Sequence, residues 1–420
     1  MYDLDSTRGR QMLVVVLGIL TCLGPMAIDL YLPALPAIAK AMGEPLGRIQ
    51  LTLSAYTVGF ALGQIVFGPL SDRFGRMKVM LPGIIGYVLT NFLASLADTA
   101  VELIAIRVLQ AFSGAAIMVC IPAMVRDMFP RKECARILSS ILLVMTVAPL
   151  VAPILGGQIL KFFGWPSLFL FLSLLGGLAF ILAFTRLRES LPEDNRSPMK
   201  PADLGRAYWN IVSHRKAMSY ILAHGFFFGG MFAFISGSPF VYIELFGVSA
   251  DNYGYLFALN VVMLGICNMI NLRMMGRFEL KSLLLFGCGM ACLAGVILLL
   301  NAWTGFGGLF GIVVPCMLFM GMIGFTGPNS NALALEYFPK TAGTANAAAG
   351  VIRFGIGGIT AGLAGMLHDG TAVPMTAIMA GCGVLSLAVL VLMGGLRNDG
   401  SEETPDDHEG EHTAEPLKAA

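Results

Sequence analysis

The sequence predicts an all-α membrane protein of twelve transmembrane helices in two pseudo-symmetric six-helix bundles. Three observations carry this expectation. Of 420 residues, 56% are hydrophobic and 13% charged, and mean hydropathy is +0.77, a balance that no ordinary water-soluble domain tolerates. Apolar segments recur along the chain, each close to the ~20 residues that cross a hydrocarbon core. A local pattern also returns: Pro122-Ala-Met-Val-Arg-Asp127-Met-Phe-Pro130 has a counterpart in Ala332-Leu-Ala-Leu-Glu336-Tyr-Phe-Pro339, with Pro339 standing 209 residues after Pro130. The same offset carries the loop 68–79 onto 277–288, beside Gly276-Arg277, a worn copy that has lost its acid.

The spans read, in order, as 12–36, 49–70, 79–97, 101–122, 137–160, 166–186, 219–243, 252–272, 282–301, 306–328, 343–367 and 373–396. The first is too long for a removable signal peptide and lacks a small-residue cleavage site. Between the second and third, Gly68-Pro-Leu-Ser-Asp72-Arg73-Phe-Gly75-Arg76-Met-Lys78-Val79 packs its charges into a short stretch that hydrocarbon cannot hold, so it turns in water. The sixth span closes an N-terminal bundle over 1–186. A polar stretch, 187–218, is the linker, and 219–396 is the C-terminal bundle. The tail 397–420 is polar and acidic and is expected to be disordered.

Basic residues orient the chain. Loops of one parity, with both termini, hold Arg8, Arg10, Arg73, Arg76, Lys78, Arg126, Arg131, Lys132 and Arg136, all the bases of the linker and its edges (Arg186, Arg188, Arg196, Lys200, Arg206, Arg215 and Lys216), and Arg273, Arg277, Lys281, Lys340, Arg397 and Lys418. The other parity holds Lys40, Arg48 and Lys161. The bias places both termini in the cytoplasm of a multi-pass protein. A net charge of +1 gives no footprint for nucleic acid. The eight cysteines lie mostly in apolar spans without metal-ligand spacing, and Cys288 and Cys292, which share a helix face, read as packing residues. No phosphate-cradling loop, zinc site or nucleophile triad is present, which argues against an enzyme and against a metal or cofactor.

Charges inside the spans are costly and therefore informative. Asp29 lies about seven residues from the outer end of the first span, and Arg107 about six from that of the fourth, at similar depth in one leaflet. They could meet across a cavity, where the carboxyl's proton affinity would answer to burial and to the guanidinium in opposite senses. Solvation or a helix-end hydrogen bond is the competing reading for Asp29, and a bond to backbone carbonyls for Arg107. Arg353 falls near the middle of the eleventh span among Gly350, Gly355, Gly357 and Gly358; substrate contact, countercharge and inter-helix hydrogen bonding all remain open. His224 and Glu244 are placed in interfacial zones, as weaker proton candidates. Tyr31, Tyr56, Phe232, Phe234, Tyr255 and Asn260 are candidate cavity walls, because aromatics with a few amides suit varied amphiphiles. Lipid or core packing is the alternative for each, and for Asn329 and Asn331.

Several stretches resemble the major facilitator superfamily. Gly68, Leu70, Asp72, Arg73, Gly75 and Arg76 match the loop signature G-x-L-x-D-R-x-G-R-[KR], with Met77 where a base is usual. In the fifth span, Ala148-Pro149-Leu-Val-Ala152-Pro153-Ile-Leu-Gly156-Gly157 resembles the drug:proton antiporter signature G-P-x-x-G-G, with Ala152 at the first glycine. Arg107-Val-Leu-Gln110-Ala111 resembles the companion R-x-x-Q-G, with Ala111 at its glycine. The chain is further similar to the bicyclomycin-resistance (Bcr/CflA) branch in Met26-Ala-Ile-Asp29-Leu-Tyr31-Leu-Pro33-Ala-Leu-Pro36, in 51–64, in Pro239-Phe-Val-Tyr242-Ile-Glu244 and in Phe257-Ala-Leu-Asn260.

The resemblance implies a transporter of the bacterial inner membrane that works as a monomer by alternating access. It would export amphiphilic antibiotics of bicyclomycin, phenicol or sulfonamide type in exchange for protons, powered by the proton gradient and needing no cofactor. Asp29 and Arg107 would couple the proton. Gly68, Asp72, Arg73, Gly75, Arg76 and Arg126 would form a conformational latch, with Asp72 meeting the start of the eleventh helix and Arg126. Pro149, Pro153, Gly156 and Gly157 would form the antiporter element. The alternative is a proton-coupled exporter or importer of a small metabolite such as a dipeptide or amino-acid derivative. A passive channel is disfavoured by the paired halves and the sparse charge.

Overall fold

The computed structural model describes residues 7–196, 201–339 and 341–396, so the acidic tail lies outside the described residues. Twelve helical segments are long and apolar enough to cross a membrane: Gly9–Met42, Leu46–Phe74, Arg76–Ala94, Ala100–Met128, Arg136–Phe163, Pro166–Arg186, Arg215–Leu245, Ala250–Met274, Leu280–Thr304, Gly308–Glu336, Ala342–Met366 and Val373–Leu392. They are called the first to twelfth spans. The protein is a multi-pass membrane protein with the expected helix count. Helices are the form that lets each segment satisfy its own backbone in hydrocarbon. Leu174 and Trp303 are 75% and 77% exposed, surfaces suited to lipid and not to water.

The first span departs from its expected form. Its helix ends at Asp29, a 3-10 turn covers Leu32–Ala34, and a second helix runs Leu35–Met42. Pro33 and Pro36 cause this, since neither supplies a backbone N–H. The span therefore continues to Met42, and Asp29 ends a helix well inside it instead of near the outer rim. The seventh span likewise begins earlier, at Arg215, and ends in a π-helical turn at Phe240–Leu245. The stretch 187–218 contains a 3-10 turn, Glu193–Asn195, and a helix, Pro201–Ser213, that packs on the seventh and eleventh spans.

Within each half the spans pack in corresponding pairs, the first on the fifth as the seventh on the eleventh, and the second on the fourth as the eighth on the tenth. Across the halves the second meets the eleventh and the fifth meets the eighth. This cross-half seam is made by glycine. A Cβ on Gly47 would overlap the Gly365 carbonyl oxygen, while within the N-terminal half one on Gly156 would likewise overlap that of Leu30 in the first span. A Cβ on Gly254 would stand 2.6 Å from the Ile154 backbone, and one on Gly157 2.6 Å from the Ala250 carbonyl oxygen. With no side chains between them, the helix backbones touch. Polar bonds reinforce the same end: Gln50 Nε2 donates to the Ser236 carbonyl at 2.9 Å, Ser54 Oγ to that of Gly358 at 2.6 Å, and Lys161 Nζ pairs with Asp251 at 2.9 Å. The halves are thus closed at one end and parted at the end that carries Asp72, Arg126 and the linker helix.

Gly157→Val should weaken this seam, because its side chain would meet the Ala250 backbone of the other half. Overpacking of this kind costs about 1–3 kcal/mol; it should appear as a lower melting temperature and as faster reagent labelling of a cysteine placed at Ser249.

Candidate functional site

A cavity of about 990 Å³ lies between the halves. It opens at the basic end, where Asp72, Arg126, Tyr208 and Thr341 border it, and runs inward to Asp29, Ile235 and Phe257. Its middle is aromatic. Phe60, from the N-terminal half, meets Phe354 of the eleventh span with ring centroids 4.5 Å apart, and Phe228 lies 5.1 Å from Phe354 and 5.0 Å from Phe232. Inward of the charged mouth, polar side chains are few, chiefly Asp29, Gln64, Thr146, Asn260, Asn346 and Arg353. Asn260 spends its Nδ2 on the carbonyls of Leu256 and Phe257, which leaves its buried Oδ1 without a partner. Among the described residues, neither Asp29 nor Arg353 has a hydrogen-bond or ion-pair partner. One acid from the N-terminal half and one base from the C-terminal half therefore line a mostly apolar chamber, both uncommitted.

Arg107 does not meet Asp29 in an ion pair. It is wholly buried, and its Nη1 donates to the Ala27 carbonyl at 2.9 Å and to Gln110 Oε1 at 2.7 Å. Its guanidinium carbon stands 4.3 Å from the Tyr31 ring centroid and 4.4 Å from that of Tyr56. Ring faces attract a cation, and desolvation strengthens the effect, so two tyrosines supply what a carboxylate would otherwise provide. The carbonyl-bonding alternative is thus realised, on the helix whose last residue is Asp29. Gln110 passes the chain on to Asn91 Oδ1 at 2.7 Å, and Asn91 Nδ2 to the Tyr87 carbonyl at 2.7 Å. The tyrosines are tethered in turn, Tyr31 to Thr52 Oγ1 at 3.0 Å and the Tyr87 hydroxyl to the Leu23 carbonyl at 3.0 Å.

Not every residue assigned to the cavity wall reaches it. Tyr56, Phe232, Asn260 and Arg353 line the cavity. Tyr31 covers Arg107 instead. Phe234 is buried behind Phe257, ring centroids 5.9 Å apart. Tyr255 is 55% exposed and faces away from the protein, because it stands on the opposite side of the eighth helix from Phe257 and Asn260. His224 is a correction as well. The earlier start of the seventh span draws it inward, and it is buried against Phe227 and Phe228 with Nδ1 unpartnered. Glu244 is exposed, and Asn329 is buried and bonded to Asn271 at 2.9 Å.

At the open end the predicted loop forms a different set of contacts from the one expected. Gly75 adopts φ +102°, the left-handed region that glycine alone enters freely, and a Cβ there would run into the Glu189 carboxylate. Arg76 is buried and bonds Ser71 Oγ at 2.7 Å, Asp127 at 3.0 Å, and Asp72. Asp72 is therefore held by Arg76, while Arg126 lies beside Gly343 at the start of the eleventh span and Arg73 rests over the Phe74 ring at 5.2 Å. Gly68 borders the cavity. The sequence reading missed Glu189, whose carboxylate accepts the backbone N–H groups of Arg76 at 2.8 Å and Met77 at 3.1 Å and so caps the third span from the linker. It missed Asp127 too. The fifth-span residues stand at or beside the meeting of the halves: Pro149 borders the cavity, Pro153 abuts Gly254, Gly157 faces Ala250 across the seam, and Gly156 packs on Leu30 of the first span.

The chain matches the Major Facilitator Superfamily over residues 17–362. A bicyclomycin resistance protein homolog of Haemophilus influenzae is 35% identical over 384 residues, covering 91% of this chain and 96% of that protein. A chloramphenicol resistance protein of Pseudomonas aeruginosa is 30% identical over 421 residues, covering 97% and 94%. The crystal structure of a D-xylose-proton symporter superposes with a TM-score of 0.72 at 15% identity, covering 92% of this chain and 97% of that one, and is a likeness of fold.

Two variants test the geometry. Arg107→Lys cannot span Ala27, Gln110 and both rings, and leaving buried acceptors unmet costs about 1–3 kcal/mol; a lower melting temperature in detergent is the expected reading. Glu189→Ala removes a helix cap worth about 0.5–2 kcal/mol, and hydrogen exchange at the first turn of the third span should quicken.

Proposed function

Because the chain belongs to the major facilitator superfamily, we propose that it is a proton-coupled multidrug antiporter. It resides in the bacterial inner membrane with both termini in the cytoplasm, and exports amphiphilic antibiotics of bicyclomycin, phenicol or sulfonamide type. The single observation that carries the coupling is Asp29: a buried carboxylate without a partner, at the inner limit of an apolar cavity that opens toward the basic loops. Relatives named for bicyclomycin and chloramphenicol resistance, similar over nine-tenths of this chain or more, support the cargo class. So does the cavity, whose aromatic walls and few polar groups fit compounds that share amphiphilic character more than shape.

The cycle follows from one constraint, that a lone carboxylate in this chamber is stable either protonated or in contact with water or a cation. In the outward-facing state Asp29 takes a proton and the drug leaves. The halves rock to the arrangement described above, Asp29 gives its proton to the cytoplasm, and the next drug binds between Tyr56, Phe232, Asn260 and Arg353. Arg107 acts as a positioning residue by holding Ala27, two residues before Asp29, through its carbonyl. On closing the open end, Asp72 would exchange Arg76 for the positive end of the eleventh helix, where Arg126 already lies. The proton gradient is the energy source; no cofactor enters the cycle, and one chain contains the whole pathway.

Inverted vesicles with an acidified lumen provide the test. Chloramphenicol or bicyclomycin should trigger alkalinisation in the wild type and none in Asp29→Asn. Alkalinisation that persists in Asp29→Asn would move the proton to another group.

A further inference from the structure

We propose that a groove on the outer surface of the N-terminal half, between the second, third and fourth spans, is a binding site for one anionic phospholipid. The groove encloses about 330 Å³ and is separate from the central cavity. Phe67, Leu70 and Phe74 of the second span, Pro82 of the third and Phe112 of the fourth make its walls, and Lys78 stands at its rim. Leu70 and Phe74 are 38% and 47% exposed, on the side of the second span turned away from the cavity-lining Ser71 and Asp72.

Packing explains why the groove exists. A Cβ on Gly83 would stand 2.6 Å from the Ala116 methyl, and one on Gly86 2.6 Å from Ser113 Oγ, so the third and fourth spans approach with only the small side chains of Ala116 and Ser113 between them. Phe67 and Phe112, ring centroids 4.8 Å apart, close the floor beside this contact. The result is an apolar slot that deepens from the loop toward the bilayer interior. Lys78 and Gly83 are five residues apart, which at helical rise gives roughly 8 Å of depth, enough for the upper part of an acyl chain.

Charge identifies the occupant. The acids near this loop are committed: Asp72 and Asp127 to Arg76, and Glu189 to the backbone of Arg76 and Met77. Among the described residues Lys78 has no partner, and Arg73 has only the Phe74 ring of the groove wall. Two uncompensated cations at the hydrocarbon boundary, above an apolar slot, complement a head group of net negative charge with its chain below. A zwitterionic lipid would bring its own cation to the same place. This rests on the orientation proposed above, which puts the groove in the cytoplasmic leaflet, where anionic lipids draw basic residues.

Native mass spectrometry of the whole protein in detergent, with equimolar phosphatidylglycerol and phosphatidylcholine, reads the site without regard to orientation or transport. Its failure therefore leaves the antiporter reading standing, and failed proton exchange leaves this one standing. The wild type should retain one phosphatidylglycerol in preference to phosphatidylcholine. Lys78→Gln should lower that preference about fivefold, the effect of one basic residue at such a surface. Pro82→Trp, at an exposed position, should fill the slot and abolish the adduct with the melting temperature maintained. Equal retention of both lipids by the wild type, or an unchanged preference in both variants, overturns the proposal. One-for-one displacement of phosphatidylglycerol by chloramphenicol, blocked in Pro82→Trp, also overturns it and makes the groove a drug port.

Discussion

A guanidinium with no access to water governs the interior of the N-terminal half. Removing Arg107 from solvent is expensive, and the surrounding residues are arranged to offset that cost: one carbonyl, one amide oxygen and two ring faces. Each of these groups is itself anchored. Gln110 is held by Asn91, Tyr31 by Thr52, and the Ala27 carbonyl belongs to the turn that ends at Asp29. The fourth span thereby holds the last turn of the first helix in place, and the break after Asp29, made by Pro33 and Pro36, leaves a carboxylate facing the cavity with nothing to pair with. The cation has two acceptors on Nη1 and two ring faces, although its Nε and Nη2 stay unbonded, whereas the anion has no partner at all, and that asymmetry gives the site its chemistry.

A second constraint concerns the two ends of the bundle. Where glycines let backbones touch, the halves form a dense seam in which an added methyl overlaps a carbonyl oxygen. At the other end, charged and capped helix termini keep the halves apart around a water-accessible mouth. The open-end contacts lie largely within the N-terminal half and linker, as in the Asp72–Arg76–Asp127 set. At the closed end Lys161–Asp251, Gln50–Ser236 and Ser54–Gly358 cross between halves. Exchanging one set for the other is the energetic problem of alternating access, and small residues keep the barrier a matter of sliding surfaces instead of repacked cores.

Much of this was legible beforehand. The twelve spans followed from composition, and a reversal within 68–79 followed from its charges, although the second helix runs on to Phe74 and the third begins at Arg76, which confines the turn to Gly75. Span ends were less secure, because prolines break a helix without ending its passage, as Pro33 and Pro36 do. The loop's true partners escaped notice because Glu189 and Asp127 are ordinary acids in polar stretches, over a hundred and about fifty residues from Arg76 respectively. For Arg107 the two readings drew on the same spacing, and only three-dimensional neighbours could choose between a carboxylate and a carbonyl with two rings. Gln110 and Asn91 carried no signal apart from being amides in apolar spans.

The sequence by itself determined that this chain lives in a bilayer, how many times it crosses, how the basic loops are distributed, and which few charges lie within the spans. These depend on transfer energies, which are summed along the chain and need no partner. Tertiary structure decided which way each helix turns. In water an amphipathic face announces the core; in lipid both the core side and the outer side of a helix are apolar, so the pattern leaves rotation open. That is why Tyr56 faces the cavity, Tyr31 covers a buried cation, Phe234 sits behind Phe257, and Tyr255 points to lipid, although all four are aromatics in apolar spans.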